Sequence, residues 1–291
     1  MAEARMSGEG GKQYKQSGLW ARFRKNRMAF CGAIMIMGLV VVAIFAPLIA
    51  PFPYDQQDFM AAQEAPSAAH WFGTDEFGRD IFSRIVYASR ISLEVGFIAV
   101  SIGMVVGGAL GSVAGYYGGF LDNFVMRTMD ILLAVPSTIL AIAIAATLGP
   151  GLFNLMMAVG ISTIPRYARI VRASVLSLRH LEFIEAAQAV GSSDFRIIVK
   201  HILPNCMAPV IVQATLGVAS AILNTAGLSF IGLGIQPPTP EWGAMLSGAR
   251  TYIRDYPYMT IFPGLAIMLT VLALNFLGDG LRDALDPKLK R

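Results

Sequence analysis

Charge is what this chain of 291 residues has least of. Only 14% of its residues are Asp, Glu, Lys or Arg, against about 25% in an average soluble domain. Cysteine and histidine are scarce too, with two and three copies. Cys31 and Cys206 lie in or beside apolar stretches, where thiols act as small packing residues. No Cys/His spacing suits zinc, so no metal site is expected. The phosphate-cradling pattern G-x-x-x-x-G-K-[ST] is missing throughout, so no nucleotide site is expected in the chain itself. What is present is apolar: 55% of the residues, with a mean hydropathy of +0.58. That excludes a disordered chain and argues against an ordinary soluble enzyme.

The charges are also clustered, and the gaps between them are long enough for membrane spans, each of which needs about 20 apolar residues. Residues 28–54 carry no charge and give a first span. Its apolar stretch is too long for a signal peptide and Pro51 follows the only small-residue cleavage position, so it reads as an uncleaved anchor. The second uncharged run is 95–121. The third, 131–165, is too long for one helix and breaks at Leu148-Gly149-Pro150-Gly151, a strong turn signal. It therefore holds two spans. One begins near Phe124 and tolerates Asp130; the other starts at Leu152 and uses Arg166 and Arg169 as snorkelling ends. Residues 208–233 and 256–278 supply the fifth and sixth spans.

Six spans put both termini on one side. Eighteen of the 23 basic residues fall in the two tails, at Arg127 and in 166–200. Only Arg79, Arg84, Arg90, Arg250 and Arg254 fall on the other side. The excess of Lys and Arg marks the cytoplasmic face, so the basic pI of about 9.1 reflects orientation and not nucleic-acid binding. The expected organisation is an all-α membrane protein. A cytoplasmic tail covers 1–27, with 1–17 disordered. A first helix covers 28–50 and an external segment 51–90. A five-helix core covers 91–280, with a cytoplasmic loop at 172–205, and a tail follows at 281–291.

Gly103, Gly107, Gly111 and Gly115 are four apart, which lines them on one helix face and lets a second helix approach closely. Pro136 is expected to kink the third span or open its backbone. The loop reads as two short helices. The first, over 181–190, ends at Gly191, a residue suited to the left-handed position after a helix. The second starts with Ser192 or Ser193 as N-cap and Asp194 in its first turn, and Pro204 marks the entry to the fifth span. Ala186, Ala187 and Ala189 offer a low surface to another protein, with Phe183, Phe195, Ile197 and Ile198 as apolar anchors.

Glu185-Ala186-Ala187, then Gly191, then His201-Ile202-Leu203-Pro204 resembles the coupling loop of type I binding-protein-dependent ABC importer permeases. Further stretches resemble the second, C-type permease subunit of dipeptide and oligopeptide importers. They are Phe72-Gly73-Thr74-Asp75 with Gly78-Arg79-Asp80 and Ser83-Arg84, the run from Gly227 through Gln236-Pro237-Pro238 to Trp242-Gly243, and Gly278-Asp279-Gly280 to Lys288. The matches extend from about Phe72 to the last residue.

The resemblance implies the six-helix type I permease fold in a bacterial inner membrane. It implies that Glu185, Ala186, Ala187, Gly191, Ile202, Leu203 and Pro204 dock on a cytoplasmic ATPase. It also implies a second, different permease subunit, two ATPase subunits that hold ATP and Mg, and an external peptide-binding protein. The chain would be no enzyme: it would form half the path for di- or oligopeptides. The same fold importing glutathione, nickel or another small solute is the nearest alternative. An autonomous secondary transporter or channel is a more distant one, because ionisable residues are missing from the span centres except Asp130 and Glu94 near their ends. Asp75, Arg79, Asp80 and Arg84 form either a local salt-bridge network or, together with Trp242 at the membrane interface, a contact for the binding protein. Gln236 to Gly243 is either an external gate or, preferably, a rigid corner. Asp279 and Arg282, three apart, are expected to pair.

Overall fold

The computed structural model describes residues 26–285. The expected disordered tail at 1–17 lies outside them, as do the rest of the first 25 residues and the last six. Among the described residues there is no β-strand, only an isolated bridge between Thr74 and Asp80. The helices of eight residues or more are α1 (Arg27–Ile44), α2 (Ile81–Tyr117), α3 (Gly119–Ala134), α4 (Ser137–Leu148), α5 (Leu152–Leu178), α6 (Glu182–Ala189), α7 (Leu203–Phe230), α8 (Trp242–Ala249) and α9 (Tyr258–Leu285).

Helix α2 and helix α5 form the centre. Their contact is made by the glycine stripe. A Cβ on Gly107 would stand 2.5 Å from the Ile164 carbonyl oxygen and 2.8 Å from Tyr167 Cβ. One on Gly115 would stand 2.9 Å from Val175 Cβ. Gly103 and Gly111 meet Thr163 and the Ala168 backbone in the same way. The four-residue spacing thus places two backbones in direct contact, as small-residue stripes do. Around this pair, α7 packs on α2 and α9 packs on α7. Helix α1 lies against α9, where a Cβ on Gly32 would stand 2.6 Å from the Ala273 carbonyl oxygen. Asn26 caps α1 by accepting from the Ala29 N–H at 3.1 Å and donates to Asp283 at 3.1 Å, which ties the first helix to the end of the last.

Four helical segments are long and apolar enough to cross a membrane: α1, α2, α9 and the run Asp194–Phe230 that contains α7. The pair α3 and α4 would make a fifth if it is one span. It is bent by 90° at Val135 and Pro136, a far sharper break than a kink, because proline both removes a donor and disfavours helix in the residue before it. Helix α5, expected as a span ending in snorkelling arginines, runs on through Arg166, Arg169 and Arg172 to Leu178. The 172–205 loop therefore begins seven residues later than expected. The second span also starts earlier than its uncharged run. Helix α2 begins at Ile81, capped by Asp80, whose carboxylate accepts from the Ser83 N–H at 2.7 Å. Arg84, Arg90 and Glu94 belong to it, and its 37 residues reach about 55 Å. Asp279 and Arg282 do not pair; neither forms an ion pair with any described residue.

Gly107→Val is expected to destabilise the protein by about 2–3 kcal/mol through overpacking. Gly108→Ala, where a Cβ meets nothing within 4 Å, should be close to neutral. Unfolding midpoints of the two purified variants in detergent check this, and equal midpoints would refute the backbone-contact role.

Candidate functional site

The segment between α5 and α7 has one inward and one outward face. Leu181 precedes α6, and Ile184 and Ala187, three apart, point inward. They pack with Val171 and Val175 of α5, Ile197, Ile202, and Cys206 and Val210 of α7. Gly191 ends α6 with φ of +76°, and nothing lies near its missing side chain. The Gly191 N–H donates to the Gln188 carbonyl at 2.9 Å and the Ser192 N–H to the Ala187 carbonyl at 3.1 Å, closing the helix end as a left-handed cap does.

Outward stand Phe183, Glu185, Ala186, Val190, Gly191 and Phe195. Val190 and Phe195 are 81% and 77% exposed, a large apolar outlay for so short a segment. Of the residues expected to meet a partner, Ala187, Ile197 and Ile198 are corrected: all three are buried, and Ala187 and Ile197 belong to the apolar cluster that anchors the segment to α5 and α7. Ile202 is fully buried as well, Leu203 half-buried and Pro204 exposed. Ser193 stands at the start of the second helix but makes no side-chain cap. The turn at Asp194–Arg196 widens into a π-helix over Ile197–Ile202 and continues without interruption into α7. Pro204 has no N–H and its ring crowds the carbonyl four residues back, which accounts for the wider turn just before it.

Sequence reasoning missed how this segment is held. The Tyr116 hydroxyl, at the last turn of α2, donates to Asp194 Oδ1 at 2.9 Å. Gln188 Nε2 of α6 donates to the same hydroxyl at 3.4 Å. Arg179 Nη1 donates to the Gly115 carbonyl at 3.0 Å. Arg172 makes a two-pronged pair with Asp122 of α3, at 2.5 and 2.6 Å. So the segment is bonded to the end of α2, and the last turns of α5 to the start of α3, around the turn at Gly118 and Gly119, both with positive φ. Contacts 50 to 78 residues apart leave no mark in local sequence pattern.

At the other end of α2 the charged segment is a folded network. Asp75 Oδ1 accepts from the Phe77 and Arg79 N–H groups, at 2.9 and 3.0 Å, and Arg79 Nε donates to Asp75 Oδ2 at 2.6 Å. Arg84 lies 3.5 Å from the same oxygen and donates to the Tyr54 carbonyl. Asp80 holds His70 Nδ1 at 3.0 Å while capping α2. All four residues expected as binding-protein contacts here are less than 10% exposed. They shape the surface from beneath rather than form it. Trp242 is corrected likewise: it is 1% exposed, at the start of α8, and its Nε1 donates to the Ile85 carbonyl at 3.2 Å. Trp242 packs with Ala88, Ala226 and Ile267, and Glu241 is enclosed beside it, its carboxylate accepting from the Gly243 and Ala244 N–H groups at 2.9 and 2.8 Å. The corner reading of this loop fits that packing.

The family described as binding-protein-dependent transport system inner membrane component matches residues 107–291. The N-terminal transmembrane domain of oligopeptide transport permease C matches residues 17–66. The dipeptide transport system permease protein DppC of Alkalihalophilus pseudofirmus is 53% identical over 269 residues, covering 92% of this chain and 88% of that protein. The glutathione transport system permease protein GsiD of Escherichia coli is 50% identical over 272 residues, covering 93% and 90%. Among solved structures, the inward-facing MetNI methionine ABC transporter superposes with a TM-score of 0.56 at 19% identity, over 70% of this chain and 96% of that one. At that identity the likeness carries the fold alone.

Burial lifts the Glu241 carboxyl above its ordinary value of 4.5, against the pull of its two backbone donors. When the folded pKa of an acid is raised, the native state holds the proton more tightly. Its contribution to stability is then full below about 4.5 and is lost as pH rises through the folded value. The unfolding midpoint of the unaltered protein should therefore fall more between about pH 4.5 and neutrality than that of Glu241→Gln, which cannot ionise. Parallel curves would contradict this.

Proposed function

Because the chain belongs to the family of binding-protein-dependent transport system inner membrane components, we propose that it is one of two different permease subunits in an ATP-driven importer of di- or oligopeptides. The observation that carries the mechanism is the outward face of α6, which pairs exposed apolar side chains with Glu185 and Gly191. The identities to a dipeptide permease and a glutathione permease support a peptide cargo, since glutathione is itself a modified tripeptide.

In this reading the α6 face is cytoplasmic and sits in a groove on an ATPase subunit. Two ATPase subunits close on ATP and Mg, which they hold; this chain makes and breaks no bonds. Displacement of α6 passes to α2 through Gln188, Tyr116 and Asp194 and to α5 through the packing of Ile184 and Ala187 on Val171 and Val175, and α5 carries it to α3 through Arg172 and Asp122. Helix α5 follows α2 because their backbones touch. The cavity between the two permease subunits then changes the side on which it is open. An external solute-binding protein delivers the peptide at the Asp75 end, where the buried charge network holds the loop surface in shape.

Gly191→Val forces a β-branched residue into a left-handed backbone, and Glu185→Lys reverses the charge of the exposed face. In the reconstituted complex each should cut peptide taken up per ATP hydrolysed by about tenfold or more, with membrane insertion intact. Tyr116→Phe, which keeps the ring and loses the hydroxyl, should lower the same ratio with little change in unfolding midpoint. Asp194→Asn keeps an acceptor and should behave like the unaltered protein. Normal coupling in both Gly191→Val and Glu185→Lys would sink the docking assignment. Uptake by the purified chain without ATPase subunits would instead support an autonomous transporter.

A further inference from the structure

Helices α7 and α9 both belong to segments long and apolar enough to cross a membrane, and between them lies an open groove of about 580 Å³. Ala226 and Ile267, both buried, form its floor. Leu223 and Phe230 of α7 stand along one rim and Met268 and Leu272 of α9 along the other, each at least 40% exposed. Helix α8 closes one end. Its Leu246 lines the groove, and Ser247 Oγ donates to the Phe230 carbonyl at 2.8 Å. The lining stretch of α9 runs from Gly264 to Asn275, eleven residues on. That is about 16 Å, or three turns of a helix.

Two features set this groove apart from a surface made for lipid tails. The first is a pair of missing side chains. Gly227 lines the groove from α7 and Gly264 from α9, and a Cβ built on either would meet nothing within 4 Å. The glycines between α2 and α5 leave no such room, because the facing helix already fills it. Gly227 and Gly264 thus leave their backbones open to approach from outside the chain, as small residues do where membrane helices meet. The second feature is Asn275. It is exposed, it lines the groove, and its amide has no hydrogen-bond partner among the described residues. It stands ten residues before the last residue of α9, about 15 Å along the helix axis. Lipid tails offer an amide no partner, and leaving it without one there is costly. An apolar groove behind α1 carries no such group: its Ser89, Trp242 and Thr270 side chains each donate to a carbonyl of this chain.

We propose that this groove seats a membrane-spanning helix of the second permease subunit, with a polar side chain of that helix bonded to Asn275 and a bulky apolar one lying over Gly227 and Gly264. The inference rests on the two-subunit reading above. An amide both donates and accepts, so Asn275 can pair with Ser, Thr, Asn or Gln, the side chains that join helices inside membranes. The groove follows the last two turns of α7, whereas the α6 segment packs at the start of the same helix, on Cys206 and Val210. Contact with the second permease subunit and contact with the ATPase therefore use opposite ends of α7, and one can hold while the other is displaced.

The test uses the whole complex, purified in mild detergent through a tag on this chain. Gly227→Leu and Gly264→Leu add a side chain where this chain has room for it, so the unfolding midpoint of the chain should stay the same or rise. On dilution, each variant should release the second permease subunit about tenfold more readily, the cost of overfilling a packed contact. Asn275→Leu should release it about fivefold more readily, the worth of one hydrogen bond between membrane helices. A photoreactive phenylalanine analogue at Met268, a rim side chain already 52% exposed, should crosslink to the second permease subunit, and it decides alone should a glycine variant prove unstable. Unchanged release in both glycine variants would overturn the proposal. So would crosslinks from Met268 only to lipid or to a second copy of this chain. The underlying reading fails differently: no second permease subunit would then copurify with the unaltered chain.

Discussion

The direct contact of two helix backbones, α2 against α5, is the constraint on which the rest depends. Glycine at four successive turns removes the side chains that would hold the helices apart, and the residues opposite include backbone atoms of Ile164, Ala168 and Arg172. Lipid supplies little hydrophobic drive for helix association, so close packing has to supply it. Once the two are joined along four turns, everything attached to the end of either helix moves with both. Helix α3 is attached to the end of α2 by the Gly118 turn, and the α6 segment to the end of α5. The clamp formed by Tyr116, Asp194, Gln188, Arg172, Asp122 and Arg179 closes that end into a single unit.

The two ends of α2 solve different problems with the same chemistry. At the Asp80 end, carboxylates and guanidiniums are buried together and satisfied locally, which builds a stiff loop surface from groups too costly to bury singly. At the Tyr116 end the polar contacts are few, half exposed and formed between elements far apart in sequence. Bonds of this kind hold a position while tolerating displacement of the whole unit. The apolar residues left outside, Val190 and Phe195 above all, are covered by none of the described residues. In the proposed assembly the ATPase groove does so.

Much of this was legible because it rests on spacing. Four glycines at intervals of four predicted a helix contact, and two backbones meet there. Gly191 after an alanine-rich run predicted a left-handed cap, and φ is +76°. Pro136 was legible as a break, but its 90° angle was not, since the angle depends on what α3 and α4 each pack against. The charge-free runs misplaced the ends of α2 and α5. Arg84 is neutralised by Asp75 and buried, while Arg166 and Arg169 of α5 face outward. Trp242 and Ala187 were misread for one reason: exposure of a residue in a loop depends on tertiary neighbours. Ile85 accepts from the indole, and Val171 and Val175 belong to the cluster that encloses Ala187. The contacts that join the α6 segment to α2, and α5 to α3, had no sequence signal at all.

Proline distribution completes the mechanical picture. Among the described helices longer than 20 residues, α5, α7 and α9 each contain proline, at Pro165, Pro209 and Pro263. Helix α2 alone has none in its 37 residues. Each proline deletes one i to i−4 hydrogen bond and is where long helices bend. The helix that reaches from the charged loop to the α6 clamp is therefore the one with an unbroken ladder, and its neighbours carry the points of give. Pro165 adjoins Arg166 and lies beside Ile164, whose carbonyl rests on Gly107. Pro165 is buried inside the stretch from Thr163 to Ala168 that packs on Gly103, Gly107 and Gly111. The α2 contact therefore braces α5 at the point where its own hydrogen-bond ladder is interrupted, which is why the pair moves as one body.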